Sequence, residues 1–103
     1  MIQKLNEDGK VAVLYSPGFG AGWYTWNTDA PEILFDPGIV KFVEKAQWDE
    51  LNTYVTLKYP DIYTGGMSDL TVAWIPEGML FKVNEYDGSE SIELKENDNW
   101  IVA

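Results

Sequence analysis

Val11-Ala12-Val13-Leu14-Tyr15 is an unbroken apolar run closed by Ser16-Pro17-Gly18, and it reads as a buried strand. Asp36-Pro37 suits a helix start, with Asp as cap and Pro in the first turn. Ile39, Val40, Phe42 and Val43 follow at helical spacing, and Trp48, Leu51, Tyr54, Val55 and Leu57 extend the period until Pro60 stops it. The pattern predicts two helices with a break near Ala46-Gln47, or one bent helix. Leu70 to Ile75 reads as a strand that Pro76-Glu77-Gly78 turns. Met79 to Tyr86 reads as another, with Phe81 and Val83 on one face. Asp87-Gly88 is a hairpin signal, and Glu90 to Leu94 returns. Trp100-Ile101-Val102 adds an edge strand or covers the core, and polar residues 1–9 lead in loosely. These elements predict an α+β fold. The first strand and a C-terminal three-stranded meander form a small antiparallel sheet, with one or two helices on one face. Such a sheet needs cover on its other face, which association into an oligomer would supply.

Length changes the picture by limiting it to one domain, residues 1–103. Composition then removes chemistry. The chain has no Cys, and its Lys+Arg total of 7 is all Lys, with 0 His. Disulfides, thiolates, imidazole catalysis and guanidinium clamps are excluded. Neither a cofactor nor a metal is expected, and the acidic run Glu85, Asp87, Glu90, Glu93, Glu96, Asp98 lacks the spacing of a calcium loop. It reads instead as a solvated edge that discourages strand addition. A formal charge of −10 repels DNA and RNA backbones. No apolar run is long enough to span a membrane, and the N-terminus lacks the apolar core of a secretion signal, so a cytosolic protein is expected.

The informative stretch is Tyr15-Ser16-Pro17-Gly18-Phe19-Gly20-Ala21-Gly22-Trp23-Tyr24-Thr25-Trp26-Asn27. Gly18, Gly20 and Gly22 directly follow a predicted strand, at a spacing that fits neither the dinucleotide fingerprint nor a P-loop. Glycines nonetheless let backbone approach a ligand, and their N–H groups can form an anion-binding nest. Tyr15, Trp23, Tyr24 and Trp26 add flat rings on which nucleobases stack. Filling a core is the competing use of each ring.

A second loop, Tyr63-Thr64-Gly65-Gly66-Met67-Ser68-Asp69, repeats the theme. Tyr63 offers another ring, Ser68 a hydroxyl, and Asp69 a carboxylate that can accept the N1–H and N2–H edge of guanine. A plain turn is the alternative. Lys82, in a predicted strand, is a candidate phosphate partner, with solvent exposure as its ordinary role; Lys10 is a similar, weaker candidate.

The Tyr15 to Asn27 stretch, with Tyr63-Thr64-Gly65-Gly66, Trp74-Ile75-Pro76-Glu77-Gly78 and Glu85-Tyr86-Asp87-Gly88-Ser89-Glu90, resembles a family of small bacteriophage proteins. These are the viral sponges that counter the cyclic-oligonucleotide defence CBASS. The resemblance spans about residue 11 to the end. It implies a homotetramer, in the cytoplasm of an infected bacterium, that sequesters cyclic dinucleotides such as 3'3'-cGAMP without cleaving them. It implies no enzyme activity; that neither membrane nor nucleic acid is a partner is expected from the apolar runs and the charge instead. Two other readings compete: an acidic phage protein that docks on a host protein or mimics DNA, and a carboxylate-dependent phosphodiesterase, for which no residue pair stands out.

Overall fold

Two Asp-Gly dipeptides make the tight turns of the fold. The computed structural model describes residues 2–18, 22–94 and 101–103. Strands β1 (Asn6–Glu7) and β2 (Lys10–Tyr15) are joined by Asp8 and Gly9, with φ of 54° and 77°. Strands β4 (Leu80–Tyr86) and β5 (Ser89–Leu94) are joined by Asp87 and Gly88, at 51° and 82°. Positive φ at both central residues matches the right-handed twist of the flanking strands. The hairpin at 87–88 follows the sequence reading. The one at 8–9 corrects it, since the N-terminal segment is tied to β2 with Asn6 opposite Val11 and Glu7 opposite Lys10.

Helices α1 (Pro37–Glu44) and α2 (Trp48–Lys58) lie where the periodicity placed them. The Asp36 carboxylate caps α1 by accepting from the Gly38 and Ile39 amides at 2.8 and 3.1 Å. The break falls at Ala46, whose φ of 53° is left-handed and cannot continue a helix.

The class is α+β, and its strands divide between two antiparallel sheets. Strand β3 (Thr71–Pro76) pairs along the whole of β2, from Lys10 opposite Pro76 to Tyr15 opposite Thr71, giving the order β1-β2-β3. The second sheet has the order β5-β4-β6, with β6 (Ile101–Val102) beside the start of β4. Strand β3 therefore leaves the meander, and β6 takes its place next to β4. The turn after Pro76, with Gly78 at φ 85°, sends the chain from one sheet to the other.

The division follows from β2. Val11, Ala12, Val13 and Leu14 are all buried. Ala12 and Leu14 face a core with Ile39, Val40, Leu51 and Val55 of the helices. Val11 and Val13 face a second core with Phe35, Ile75, Phe81 and Val83. The first sheet thus lies between the helices and the second sheet. Each fully buried aliphatic side chain contributes about 1.5–3 kcal/mol. The sheet face expected to need a second subunit is covered within the chain, so that ground for an oligomer is removed. No described helix is long and apolar enough to cross a membrane.

Candidate functional site

Glu90 organises the glycine-aromatic loop from inside. It is 1% exposed. One carboxylate oxygen accepts the Ser16 amide at 2.9 Å. The other accepts the Trp23 amide at 2.9 Å, the Thr25 amide at 2.8 Å and the Thr25 hydroxyl at 2.7 Å. The Glu90 amide donates in turn to the Ser16 carbonyl at 2.8 Å, and the Ser89 hydroxyl to the Pro17 carbonyl at 2.7 Å. The start of β5 therefore holds both ends of the loop. This corrects the placing of Glu90 on a solvated edge: strand alternation turns it inward, where loop donors satisfy its charge. Glu96 and Asp98 of the same run lie outside the described residues.

The two loops picked out separately in the sequence meet. The Asn27 side chain accepts the Tyr63 amide at 2.7 Å and donates to the Tyr63 carbonyl at 2.9 Å. The same amide group donates to the Trp23 carbonyl at 2.8 Å. The Ser16 hydroxyl donates to the Gly66 carbonyl at 2.9 Å. These bonds set the Trp26 and Tyr63 rings 5.0 Å apart and inclined by 32°. Both rings remain open to solvent, at 45% and 43%.

Two glycines make room for that pair. A Cβ at Gly22 would lie 2.6 Å from Trp26 Cδ1 and 2.8 Å from Thr25 Oγ1. A Cβ at Gly65 would collide with the Tyr63 phenol. Close approach, rather than a left-handed backbone, is what these positions require. Beside the rings runs an open groove of about 490 Å³, lined by Trp26, Asn27, Asp29, Asp61, Ile62 and Tyr63 among others.

The remaining candidates divide. Trp23 is fully buried and belongs to the helix-side core, with its indole N–H donating to the Ile33 carbonyl at 3.1 Å. Its use as a stacking surface is thereby corrected, because no ligand reaches that ring in the folded chain. Tyr24 is half-buried and packs against both cores. Tyr15 is half-buried at the end of β2, opposite Thr71. Gly18 lies against the Asp69 carboxylate, with no space for a side chain between them. Ser68 and Asp69 are exposed on the 3-10 turn Met67–Asp69. Lys82 is exposed on β4 opposite Glu93 and does not line the groove. Gly20 lies outside the described residues. Asn27, Asp29, Asp61 and Glu90 were not among the predicted site residues. Asn27 lies inside the marker stretch and Glu90 ends the last stretch of the resemblance, whereas Asp29 and Asp61 carry no such signal.

A second polar cluster fastens the helices. Asp36 accepts from the Tyr54 hydroxyl at 2.8 Å, Lys58 Nζ at 2.9 Å and the Tyr59 hydroxyl at 2.5 Å. Burial alone would raise its pKa. The hydrogen bonds from Tyr59, Lys58, Tyr54 and the Ile39 amide outweigh burial and hold it below the usual carboxylate value. Burial, with the bond to Asp36, raises the Tyr59 phenol, and the bond to Asp36 raises Lys58. The cluster reads as a structural latch, since each member serves the others. No family model, curated protein or solved structure matches the chain.

Proposed function

We propose that the protein binds cyclic dinucleotides such as 3'3'-cGAMP and sequesters them uncleaved, as a phage sponge that blunts CBASS signalling in the host cytoplasm. The observation that carries this reading is the solvent-open Trp26–Tyr63 ring pair, held over a groove by two glycine-bearing loops. Exposed rings held by the Asn27–Tyr63 and Ser16–Gly66 hydrogen bonds form a stacking surface that the core does not need. Stacking contributes about 1–3 kcal/mol per base. A sponge that competes with a host receptor at about 10 nM needs roughly −11 kcal/mol. The groove is open, so one protomer leaves much of a bound dinucleotide wet. A second copy closing over it would supply the remaining burial, consistent with the tetramer that the family resemblance implies. Capture without chemistry also suits a chain lacking His, Cys and Arg.

The test is to incubate the protein with 3'3'-cGAMP, remove unbound nucleotide, heat-denature the protein and chromatograph what is released. Intact nucleotide is expected. A linear product would make the protein a phosphodiesterase. No retained nucleotide would favour docking on a host protein.

A further inference from the structure

We infer that the groove reads its ligand through guanine donor groups, by way of Asp29 and Asp61, and leaves the phosphates facing outward. This deepens the sequestration reading and rests on it.

Four donors of the described loop residues are already taken. The Ser16, Trp23 and Thr25 amides and the Thr25 hydroxyl all point at Glu90. An internal carboxylate thus uses loop donors that could otherwise have faced an anion. The groove itself brings no replacement. Among the described residues lining it there is no lysine, whereas Asp29 and Asp61 both line it. Neither carboxylate accepts a hydrogen bond from a described residue, and both are exposed. A phosphate placed there would face two like charges without a cation.

A base placed there meets complementary chemistry. The Trp26 and Tyr63 rings offer stacking faces, and the adjacent carboxylates offer only acceptors. Guanine presents N1–H and N2–H side by side, two parallel donors for the two oxygens of one carboxylate. Adenine presents one donor group beside a ring acceptor, and that acceptor would oppose a carboxylate oxygen. The preference expected from one such bidentate pair is roughly tenfold or more.

Calorimetric titration of the intact protein with cyclic di-GMP, 3'3'-cGAMP, cyclic di-AMP and inorganic phosphate tests this. The two guanine-containing dinucleotides should bind, cyclic di-AMP at least about tenfold more weakly, and phosphate should not compete. In folded Asp61→Asn or Asp29→Asn, checked by far-UV circular dichroism, the gap between guanine and adenine ligands should narrow. Equal or tighter binding of cyclic di-AMP by the wild type would overturn the guanine inference and leave sequestration standing. So would displacement of bound nucleotide by phosphate. Failure of every dinucleotide to bind would overturn both. The wild-type panel decides the matter even if neither variant folds.

Discussion

The Glu90 carboxylate accepts the backbone amide of Trp23 at 2.9 Å across 67 positions of sequence. One oxygen of the same group also accepts both donors of Thr25. The loop that carries the exposed ring pair is thus fastened to a strand of the opposite sheet by one buried charge.

Glu90→Gln keeps the shape but exchanges a charged acceptor for an amide. Its NH2 would confront a backbone N–H. Hydrogen bonds to charged groups contribute about 1.5–3 kcal/mol each. The variant should lose at least about 2 kcal/mol of stability, read from the urea midpoint. A loss below about 0.5 kcal/mol would mean that the loop holds its shape without the charge.

The two tryptophans of the loop should respond in opposite ways. Trp23→Ala empties a fully buried site and should cost about 3–5 kcal/mol of folding stability. Trp26→Ala removes an exposed ring, and should change stability by less than about 1 kcal/mol while weakening nucleotide binding about tenfold. Thermal melts and titration of the same two variants separate these effects. Unaltered affinity in folded Trp26→Ala would remove the stacking surface from the proposed site.

Asp36 should make stability depend on acid. Its folded pKa lies below the ordinary 3.8, so the unfolded chain takes up the proton first as pH falls. The contribution is complete above 3.8 and is lost as pH drops through the folded value. Asp36→Asn should therefore be clearly less stable than the wild type at pH 6, with the gap shrinking below pH 4. A gap constant from pH 6 to pH 3 would show that the charge state of Asp36 is immaterial.

Ala46 sits at φ 53° between the helices. An L-residue with a Cβ is strained there by about 1–2 kcal/mol, and glycine is not. Glycine also gives the unfolded chain more freedom, which offsets part of the gain. Ala46→Gly should raise stability by about 0.5–1 kcal/mol in chemical denaturation, and a destabilised variant would contradict this account.

The helices and hairpin strands were readable because their signals are local. Asp36-Pro37, the apolar spacing from Ile39 to Leu57, and Asp87-Gly88 each specify a backbone conformation by neighbouring residues. Asp8-Gly9 carries the same signal as Asp87-Gly88, but only the two polar residues of β1, Asn6 and Glu7, precede it as a strand, and they show no alternation. The sheet division was hidden because β3 could pair with β2 or β4, and burial of β2 on both faces decides between them. At the site, the loops were visible and their union was not. Asn27 and Tyr63 are 36 positions apart, and no periodicity links them. Trp23 and Trp26 look alike in sequence, and only the packing of the folded chain separates a core ring from a surface ring. Glu90 looked like one more acid in an acidic run because strand alternation alone does not say what lies opposite.

Strand β2 contributes alternate side chains to both apolar cores, Ala12 and Leu14 to one, Val11 and Val13 to the other. Neither layer can melt without stripping a face of this strand, so the molecule should unfold as one cooperative unit rather than layer by layer. Deuterium should reach the amides of Val11 to Leu14 only through global opening, and ligand capture in the groove should slow their exchange by the factor that its added folding free energy sets.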